Sequence, residues 1–314
     1  MQDCLIIENG VLKECIDKNI EEVIIPDGVK SVEKFAFSHF LNLKCVSIPN
    51  SVTSIGSSAF VGCSSLTSIT IPYSVVSIGE YAFCDCISLT SITVDDKNEV
   101  YDSRDNCNAI IKTKSNTLII GCQSTIIPDS ISSIGSNAFY ECSTLTNITI
   151  PNGVKKINEF AFSNCSILKS ITLPNSVKNI EEYAFSGCKS LTDFNVPCNV
   201  TNLGEGAFSF CDSLISITIP NSITSLSDGI FASCKSLKNI TIPQSITSIG
   251  NRAFFCCFSL ESITIPDSVI NLGVDAFSLC NKLETLTFLG SKEQWEKISK
   301  SADLDDNVNV IFSK

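Results

Sequence analysis

The sequence is poor in the residues that most catalytic and nucleic-acid-binding sites require. Its 314 residues include one histidine, one methionine and one tryptophan, and 22 Lys and Arg against 33 Asp and Glu give a formal charge of −11. With His39 as the only histidine, Cys–His zinc sites and Ser–His–Asp catalysis have little material. The shortage of basic residues argues against binding the phosphates of nucleic acids or of anionic lipids. We therefore predict no enzyme activity, no cofactor, no metal and no nucleic-acid partner.

Long apolar runs are also absent. No stretch approaches the roughly 18 uninterrupted apolar residues of a membrane span, so we expect no membrane insertion. The first eight residues have neither the basic region nor the apolar region of a signal peptide. If Met1 is the true start, these features predict a cytoplasmic protein; the alternative is a mature fragment without its targeting segments.

What the sequence does have is a strict period. Its ten prolines are spaced by 23 residues, with one step of 56 between Pro72 and Pro128. A phenylalanine stands at the eleventh position after every proline, as Phe60 follows Pro49. A fixed period of this length is typical of a solenoid, in which each coil buries its apolar side by stacking on its neighbours.

One repeat, from Pro49 to Ile71, predicts the structure of each coil. Leu66–Ile71 alternates apolar and hydroxyl residues and is a predicted strand that the next proline ends. Val52–Ile55 is a second short extended segment, and Ser57–Cys63 is a predicted helical or 3-10 turn. The fold class is therefore a β-rich repeat solenoid with short helical or 3-10 turns.

The 17 cysteines follow the same period. Nine of them stand at the fourteenth position after a proline, and the first repeat has Phe40 at this position. A site that accepts either Cys or Phe is an apolar core site, since a free Cys behaves as a small hydrophobic residue. We predict a cysteine ladder of buried thiols, with disulfides between coils as the alternative. The nine positions are Cys63, Cys86, Cys142, Cys165, Cys188, Cys211, Cys234, Cys257 and Cys280.

The outward side chains of the long predicted strands are small and polar. They stand at the fourth and second positions before seven of the prolines, and we call this set the strand face. It is the candidate interaction surface, although paired hydroxyls on a strand also have a purely structural role. The strand face consists of Ser68, Thr70, Asn147, Thr149, Ser170, Thr172, Asp193, Asn195, Ser216, Thr218, Asn239, Thr241, Ser262 and Thr264.

The one irregular step inserts 33 residues, at about 95–127. Two β-rich runs, Ala109–Ile111 and Thr117–Ile120, flank a polar turn and predict a β-hairpin. The acidic residues of this segment lack the spacing of a calcium loop, so a solvated acidic turn is preferred over a Ca²⁺ site. These acidic residues are Asp95, Asp96, Glu99, Asp102 and Asp105.

The chain ends are predicted caps, which a solenoid needs to cover its open apolar ends. Residues 1–22 form the N-terminal cap, with a hairpin-like element; residues 23–288 form the solenoid of ten repeats; and residues 289–314 form the C-terminal cap. In the last segment, Ser291 and Gln294 have the spacing of a capping box. Trp295 is predicted to cover the last coil, and residues 307–312 to add a final strand.

The repeat resembles the BspA-like branch of leucine-rich repeat proteins. The unit Leu-Thr-x-Ile-Thr-Ile-Pro-x-Ser-Val-x-x-Ile-Gly-x-x-Ala-Phe-x-x-Cys is present in Leu66–Cys86 and, with small departures, in Leu145–Cys165. The insertion and the Trp295 tail also look like accessories of that family. The resemblance implies a curved right-handed superhelix, and a cell-surface or secreted microbial protein that adheres to host proteins or to other cells. It supplies no catalytic residue.

The leading functional hypothesis is a non-catalytic interaction or adhesion module. It would bind a protein or glycan partner through the solenoid surface, as a monomer. The alternative is a passive structural spacer or scaffold without a ligand of its own. The strand face favours the first hypothesis only weakly, because it lacks the aromatic and Arg anchors of high-affinity interfaces.

Overall fold

The computed structural model describes residues 4–314 and divides the chain into two compact units, residues 1–145 and 146–314. Both units are built of the coils that the proline period predicts, and the fold is a β-solenoid with very little helix. Every proline turn is followed by a two-residue strand, and most coils also have a strand of three or four residues on the other side.

The first unit contains the N-terminal hairpin, the coils up to the insertion, the insertion itself, and the coil after it up to residue 145. Two 3-10 turns, Arg104–Asn106 and Thr113–Ser115, lie in the insertion. The strands of this unit are Leu5–Glu8, Val11–Cys15, Glu22–Ile24, Ser31–Val32, Cys45–Ser47, Ser54–Ile55, Ser68–Ile71, Ser77–Ile78, Ser91–Val94, Tyr101–Asp102, Ala109–Lys112, Thr117–Gly121 and Ser133–Ile134.

The second unit contains regular coils and the C-terminal cap. Its α-helix is Lys292–Ile298, and the coil between residues 238 and 242 has a single parallel bridge, Thr241 to Thr264, in place of a strand. The strands of this unit are Asn147–Thr149, Lys156–Ile157, Ser170–Thr172, Asn179–Ile180, Asp193–Asn195, Asn202–Leu203, Ser216–Thr218, Ser225–Leu226, Ser248–Ile249, Ser262–Ile265, Asn271–Leu272, Thr285–Phe288 and Asn309–Phe312.

Neighbouring coils pair in parallel with a register equal to the sequence period. Ser68 is opposite Ser91 in the first unit, and Asn147 is opposite Ser170 in the second, so each residue faces its equivalent one repeat later. Equivalent residues of successive coils therefore form columns along the solenoid. In a buried column, the residue of each coil has to fit the volume that its neighbours leave.

The turn side is an irregular form of the predicted helical or 3-10 turn. It has hydrogen bonds between residues three apart, such as Ser186 N–H to Tyr183 O at 3.1 Å. Two residues per coil have positive φ, however, and such left-handed residues interrupt a right-handed helix. They stand at the ninth and thirteenth positions after each proline: Phe35, Ser58, Tyr81, Asn137, Phe160, Tyr183, Gly206, Gly229, Arg252 and Asp275 at the ninth, and His39, Gly62, Asp85, Glu141, Asn164, Gly187, Phe210, Ser233, Cys256 and Leu279 at the thirteenth.

This turn backbone forms a hydrogen-bonded ladder of its own. In one coil, the N–H groups of Tyr183, Phe185 and Gly187 donate to carbonyls of the next coil at 2.8, 2.9 and 2.8 Å. Every second N–H group of the turn therefore points along the solenoid axis and donates to the next coil. The other N–H groups donate to carbonyls within the same turn. Because its amides are paired, the turn side is as regular as the strand side without being a helix or a strand.

The core is a column of stacked phenylalanines. In the second unit, Phe162 and Phe185 stack with ring centroids 5.4 Å apart and an interplanar angle of 0°, and Phe185 and Phe208 with centroids 5.7 Å apart. Phe194, on a strand, meets Phe208 edge-on at 4.7 Å. A small residue precedes most of these phenylalanines, such as Ala184 and Ala207, which are fully buried. The coil is filled without excess volume.

One buried asparagine binds the start of the insertion to the coil before it. Asn98 Nδ2 donates to the carbonyls of Pro72 and Val75, both at 2.9 Å, and its Oδ1 accepts the N–H groups of Val100 and Tyr101 at 2.9 Å. Beyond it, Ala109–Lys112 pairs antiparallel with Thr117–Gly121, so the two β-rich runs form the hairpin that they predict.

The ends have the elements that the sequence indicates. Leu5–Glu8 and Val11–Cys15 form an antiparallel hairpin, in which Asn9 and Gly10 have the positive φ of a tight turn. At the other end, the capping box of Ser291 and Gln294 starts the helix, and Trp295 is buried against Phe288. The last strand, Asn309–Phe312, pairs in parallel with Thr285–Phe288.

Candidate interaction face

All fourteen residues of the strand face are exposed. Ser68 and Thr70 belong to the first unit, and the other twelve to the second. In the second unit, Asn147 and Thr149 stand directly opposite Ser170 and Thr172 on the adjacent strand. The alternation of the strands buries the residues between them, such as Ile148 and Ile171. The sequence pattern thus places these side chains correctly on the outer side of the sheet.

Several polar groups of the strand face bond to their neighbours on the next coil. Ser216 Oγ donates to Asp193 Oδ1 at 2.8 Å. The hydroxyls of Thr70 and Thr93 lie 2.9 Å apart. Asp193 is the single charged residue among the fourteen. The face therefore offers closely spaced hydroxyl and amide groups of low charge density, part of whose hydrogen-bonding capacity is used within the sheet.

The strand face extends further than the proline rule predicts. Ser91 and Thr93 stand opposite Ser68 and Thr70 in the first unit, and Thr285 and Thr287 stand opposite Ser262 and Thr264 in the second. No proline follows these strands, because the insertion begins after Val94 and the cap begins after Phe288. The alternation of hydroxyl and apolar residues, read without the proline, is the signal that identifies them.

The periodic cysteines point inward and donate to the backbone. The Cys211 thiol contacts the Phe185 carbonyl of the preceding coil at 3.2 Å. Burial raises the pKa of the Cys211 and Cys280 thiols to about 12. These protonated groups are therefore poor nucleophiles and poor metal ligands. The same contact, to a phenylalanine carbonyl of the preceding coil, is made by Cys63, Cys86, Cys188, Cys211, Cys234, Cys257 and Cys280.

Within residues 4–314 no two cysteines are joined by a disulfide, and the thiols of Cys45 and Cys198 are exposed. In the same residues, no group of three or more His, Cys, Asp or Glu side chains is arranged to hold a metal ion. No helix in this part of the chain is long and apolar enough to cross a membrane.

The remaining candidate groups have local partners. The acidic turn is held by Asp102, whose carboxylate accepts Arg104 Nε at 2.7 Å and Thr113 Oγ1 at 3.0 Å. Burial opposes the charge of this carboxylate, but the hydrogen bonds from Arg104 and Thr113 keep the pKa of Asp102 below its usual range. His39 is exposed in a turn, with Nδ1 at 3.1 Å from Ser38 Oγ.

Comparison with known proteins identifies the repeat. A family model described as the BspA type leucine rich repeat region matches residues 5–117, 109–234 and 205–302. No curated protein matches the chain.

Several solved structures are similar to the chain. The pneumococcal vaccine antigen PcpA is 26% identical with a TM-score of 0.69, over 94% of this chain and 68% of that chain. A leucine rich cell surface protein from Faecalibacterium prausnitzii is 29% identical with a TM-score of 0.52, over 96% of both chains. A leucine-rich repeat protein from Eubacterium ventriosum, 20% identical with a TM-score of 0.63 over 95% of this chain and 89% of that chain, has the same fold.

The family matches extend from residue 5 to residue 302 with overlaps, and the coils described above account for nearly all of that span. The protein belongs to the BspA type leucine rich repeat family.

Proposed function

We propose that the protein is a non-catalytic interaction module that binds a protein or glycan partner through the strand face. The observation that carries this proposal is the column of exposed hydroxyl and amide side chains on successive coils, such as Thr149, Thr172 and Thr218. Such groups donate and accept hydrogen bonds without the desolvation cost of full charges. A regular array of them suits an extended partner that lies across several coils.

The comparisons support an interaction role and suggest where it takes place. One similar structure is that of a cell surface protein and another is that of a vaccine antigen. We therefore propose a cell-surface or secreted location for this protein too, and adhesion to a host protein or to another cell as the form of the interaction.

A passive spacer is the second candidate function. It is favoured by the hydrogen bonds within the face, such as Ser216 to Asp193, and by the absence of aromatic and Arg anchors among its fourteen residues. A spacer needs only a stable solenoid, and its exposed face has no partner to recognise.

Binding to immobilised extracellular-matrix proteins distinguishes the two candidates. We expect saturable binding in surface plasmon resonance, and at least about tenfold weaker binding for a variant with Thr149→Lys, Thr172→Lys, Asn195→Lys and Thr218→Lys, since the lysines block the polar face. The matched control carries four lysines at exposed positions on the side of the two-residue strands: Asn202→Lys, Ser225→Lys, Thr247→Lys and Asn271→Lys.

If no matrix protein binds saturably, or if both lysine variants bind like the wild type, the strand-face proposal is wrong and the spacer is supported. The non-catalytic part of the proposal has its own test. Turnover of any substrate in an activity screen, lost in His39→Ala, would contradict it.

A further inference from the structure

The turn side of the second unit has a gap in an otherwise filled column. The ninth residue after each proline lies on the outer side of the turn, and we call this column row nine. In the second unit it consists of Phe160, Tyr183, Gly206, Gly229, Arg252 and Asp275. Two successive coils thus have no side chain where their neighbours have aromatic or charged ones.

The gap is a loss of side chains and not a change of backbone. The φ angles of Tyr183, Gly206, Gly229 and Arg252 are 55°, 56°, 57° and 54°. Their N–H groups all donate to the following coil, at 2.8, 2.9, 2.8 and 2.9 Å. The backbone around the gap is therefore hydrogen-bonded like the rest of the ladder. A ligand that enters the gap does not have to order this backbone.

An aromatic ring borders the gap. Tyr183 stacks on Phe160 with ring centroids 5.1 Å apart and an interplanar angle of 11°. On its other side the ring leans over Gly206, where an added Cβ would lie 2.4 Å from Cε1 of Tyr183. A Cβ on Gly229 would have 3.9 Å to its nearest neighbour, so the space above Gly229 is open. The stack of rings in row nine thus ends at a vacant place.

The vacant place belongs to a cavity of about 520 Å³, which we call the glycine groove. Its polar and aromatic lining includes Tyr183, Glu205, Phe210, Asp228, Asn251 and Arg252. The Phe210 side chain is 53% exposed. A volume between about 300 and 1,000 Å³ is usual for small-ligand sites, and two aromatic side chains in one groove supply apolar contact area.

The polar groups of the glycine groove have both signs and are already oriented. Tyr183 Oη donates to Glu205 Oε1 at 2.5 Å, and Asn251 Nδ2 donates to Asp228 Oδ2 at 2.9 Å. The hydrogen bond to Glu205, together with burial, raises the pKa of Tyr183 to about 12, so its hydroxyl stays a donor. Each carboxylate oxygen keeps a lone pair for a further donor.

The lining selects against anions, because the carboxylates of Glu205, Asp228 and Asp275 outnumber the guanidinium of Arg252, which is paired with Asp275 at 3.3 Å. A ring with several hydroxyls is suited to such a lining, because each hydroxyl both donates and accepts. The C–H groups on the face of a sugar ring carry partial positive charge and pack well on the negative face of an aromatic ring.

We propose that the glycine groove binds a neutral sugar ring of a glycan. The sugar ring lies in the open space above Gly229, with its apolar face on the Tyr183 ring that covers Gly206. Its hydroxyls bond to Asp228, Asn251 and Arg252. This site is on the turn side and does not include any residue of the strand face, so it goes beyond the function proposed above.

The test uses the whole chain and a printed array of neutral oligosaccharides, followed by calorimetric titration with the sugars that bind. Gly229→Tyr restores a side chain to row nine and fills the groove. We expect it to weaken binding by at least about tenfold, which corresponds to about 1.4 kcal/mol. The matched control is Ser58→Tyr, which introduces the same side chain at row nine of the first unit (φ 55°), and we expect its affinity to be within about twofold of the wild type.

Tyr183→Ala removes the stacking face without adding volume, and we expect a similar loss of at least about tenfold. It keeps the proposal testable if Gly229→Tyr fails to fold. In saturation-transfer NMR, the ring C–H protons of the bound sugar should receive more saturation than the protons of its exocyclic groups. Tyr183→Ala should remove this difference.

The proposal is wrong if no neutral oligosaccharide binds, if Gly229→Tyr binds like the wild type, or if only a hexa-arginine peptide, included as a cationic probe, binds in the groove. The strand-face lysine variant separates the two proposals. If matrix proteins no longer bind to that variant while sugars still do, the two sites are independent; failure of the sugar test leaves the strand-face result unaffected.

Discussion

Phe208 and Phe210 are two residues apart in one turn of the second unit, and they have opposite surroundings. Phe208 is fully buried between the rings of Phe185 and Phe231, whereas the Phe210 side chain is 53% exposed. In the column of Phe208, every coil has phenylalanine. In the column of Phe210, the coils have Asn164, Gly187, Phe210, Ser233, Cys256 and Leu279.

This difference shows which parts of the repeat are free to acquire a function. An inward position is fixed by the volume of the coil, and the same residue recurs because neighbouring coils are nearly identical. An outward position on the same backbone has no such restriction. Columns that vary from coil to coil, such as row nine, are therefore where one member of the family can differ in its ligand.

The largest expected effect is that of a substitution in the inward column of phenylalanines. Phe208→Ala should lower the free energy of unfolding by about 3–5 kcal/mol, because it removes a buried ring and leaves a cavity between two others. Phe210→Ala is the matched control and should change it by less than about 0.5 kcal/mol. Urea unfolding followed by circular dichroism measures both values. Equal losses in the two variants would refute the assignment of inward and outward columns.

The second prediction concerns the buried thiols at alkaline pH. Burial raises the pKa of Cys211 to about 12, from an ordinary value of 9.0. Below pH 9 the thiol is protonated in both the folded and the unfolded chain, so the full free energy of unfolding is retained there. Between pH 9 and 12 only the unfolded chain loses this proton, and the free energy of unfolding should fall by about 1.4 kcal/mol per pH unit for each such thiol.

Urea unfolding at pH 8, 9, 10 and 10.5 measures this slope. Cys211→Ala should reduce the slope by the equivalent of one proton, since the alanine cannot ionise. Cys198→Ala, at an exposed thiol, should leave it unchanged. If the wild type and Cys211→Ala have the same slope, the Cys211 thiol ionises equally in both states and the prediction is wrong.

Much of this fold is predictable because one period controls it. The prolines and phenylalanines locate the coils, and the alternation in Leu66–Ile71 locates the exposed side chains of the strand. The left-handed residues could not be predicted in the same way. Row nine holds Phe35, Ser58, Tyr81 and Asn137 in the first unit, and of these residue types only asparagine indicates positive φ. The hydrogen bonds to the next coil stabilise a conformation that the local sequence does not favour.

The glycine groove was not predictable for a related reason. Gly206 and Gly229 are ordinary loop residues in a sequence, where glycine indicates a turn. Their meaning depends on the equivalent residues of the adjoining coils, namely Tyr183 one repeat before Gly206 and Arg252 one repeat after Gly229. The strand face, in contrast, is visible in the sequence because its residues alternate with buried ones.

The third prediction compares the two glycines. Gly229→Ala should cost about 1 kcal/mol, the usual penalty for a side chain at left-handed φ. Gly206→Ala should cost about 1 kcal/mol more, because its Cβ would lie 2.4 Å from the Tyr183 ring and must displace it. Thermal unfolding of both variants measures the difference. A smaller loss at Gly206 than at Gly229 would contradict the position of the ring.

The smallest expected effect is on the strand face. Ser216 and Asp193 are both exposed and share a hydrogen bond of 2.8 Å. Water competes for these groups, so a double-mutant cycle with Ser216→Ala and Asp193→Ala should give a coupling of less than about 0.5 kcal/mol. A coupling above about 1 kcal/mol would mean that the polar face has a structural role in holding the coils together. A coupling below about 0.5 kcal/mol would mean that the hydroxyls and amides of the strand face can be replaced without unfolding the chain. Any loss of partner binding in the lysine variant is then a loss of recognition.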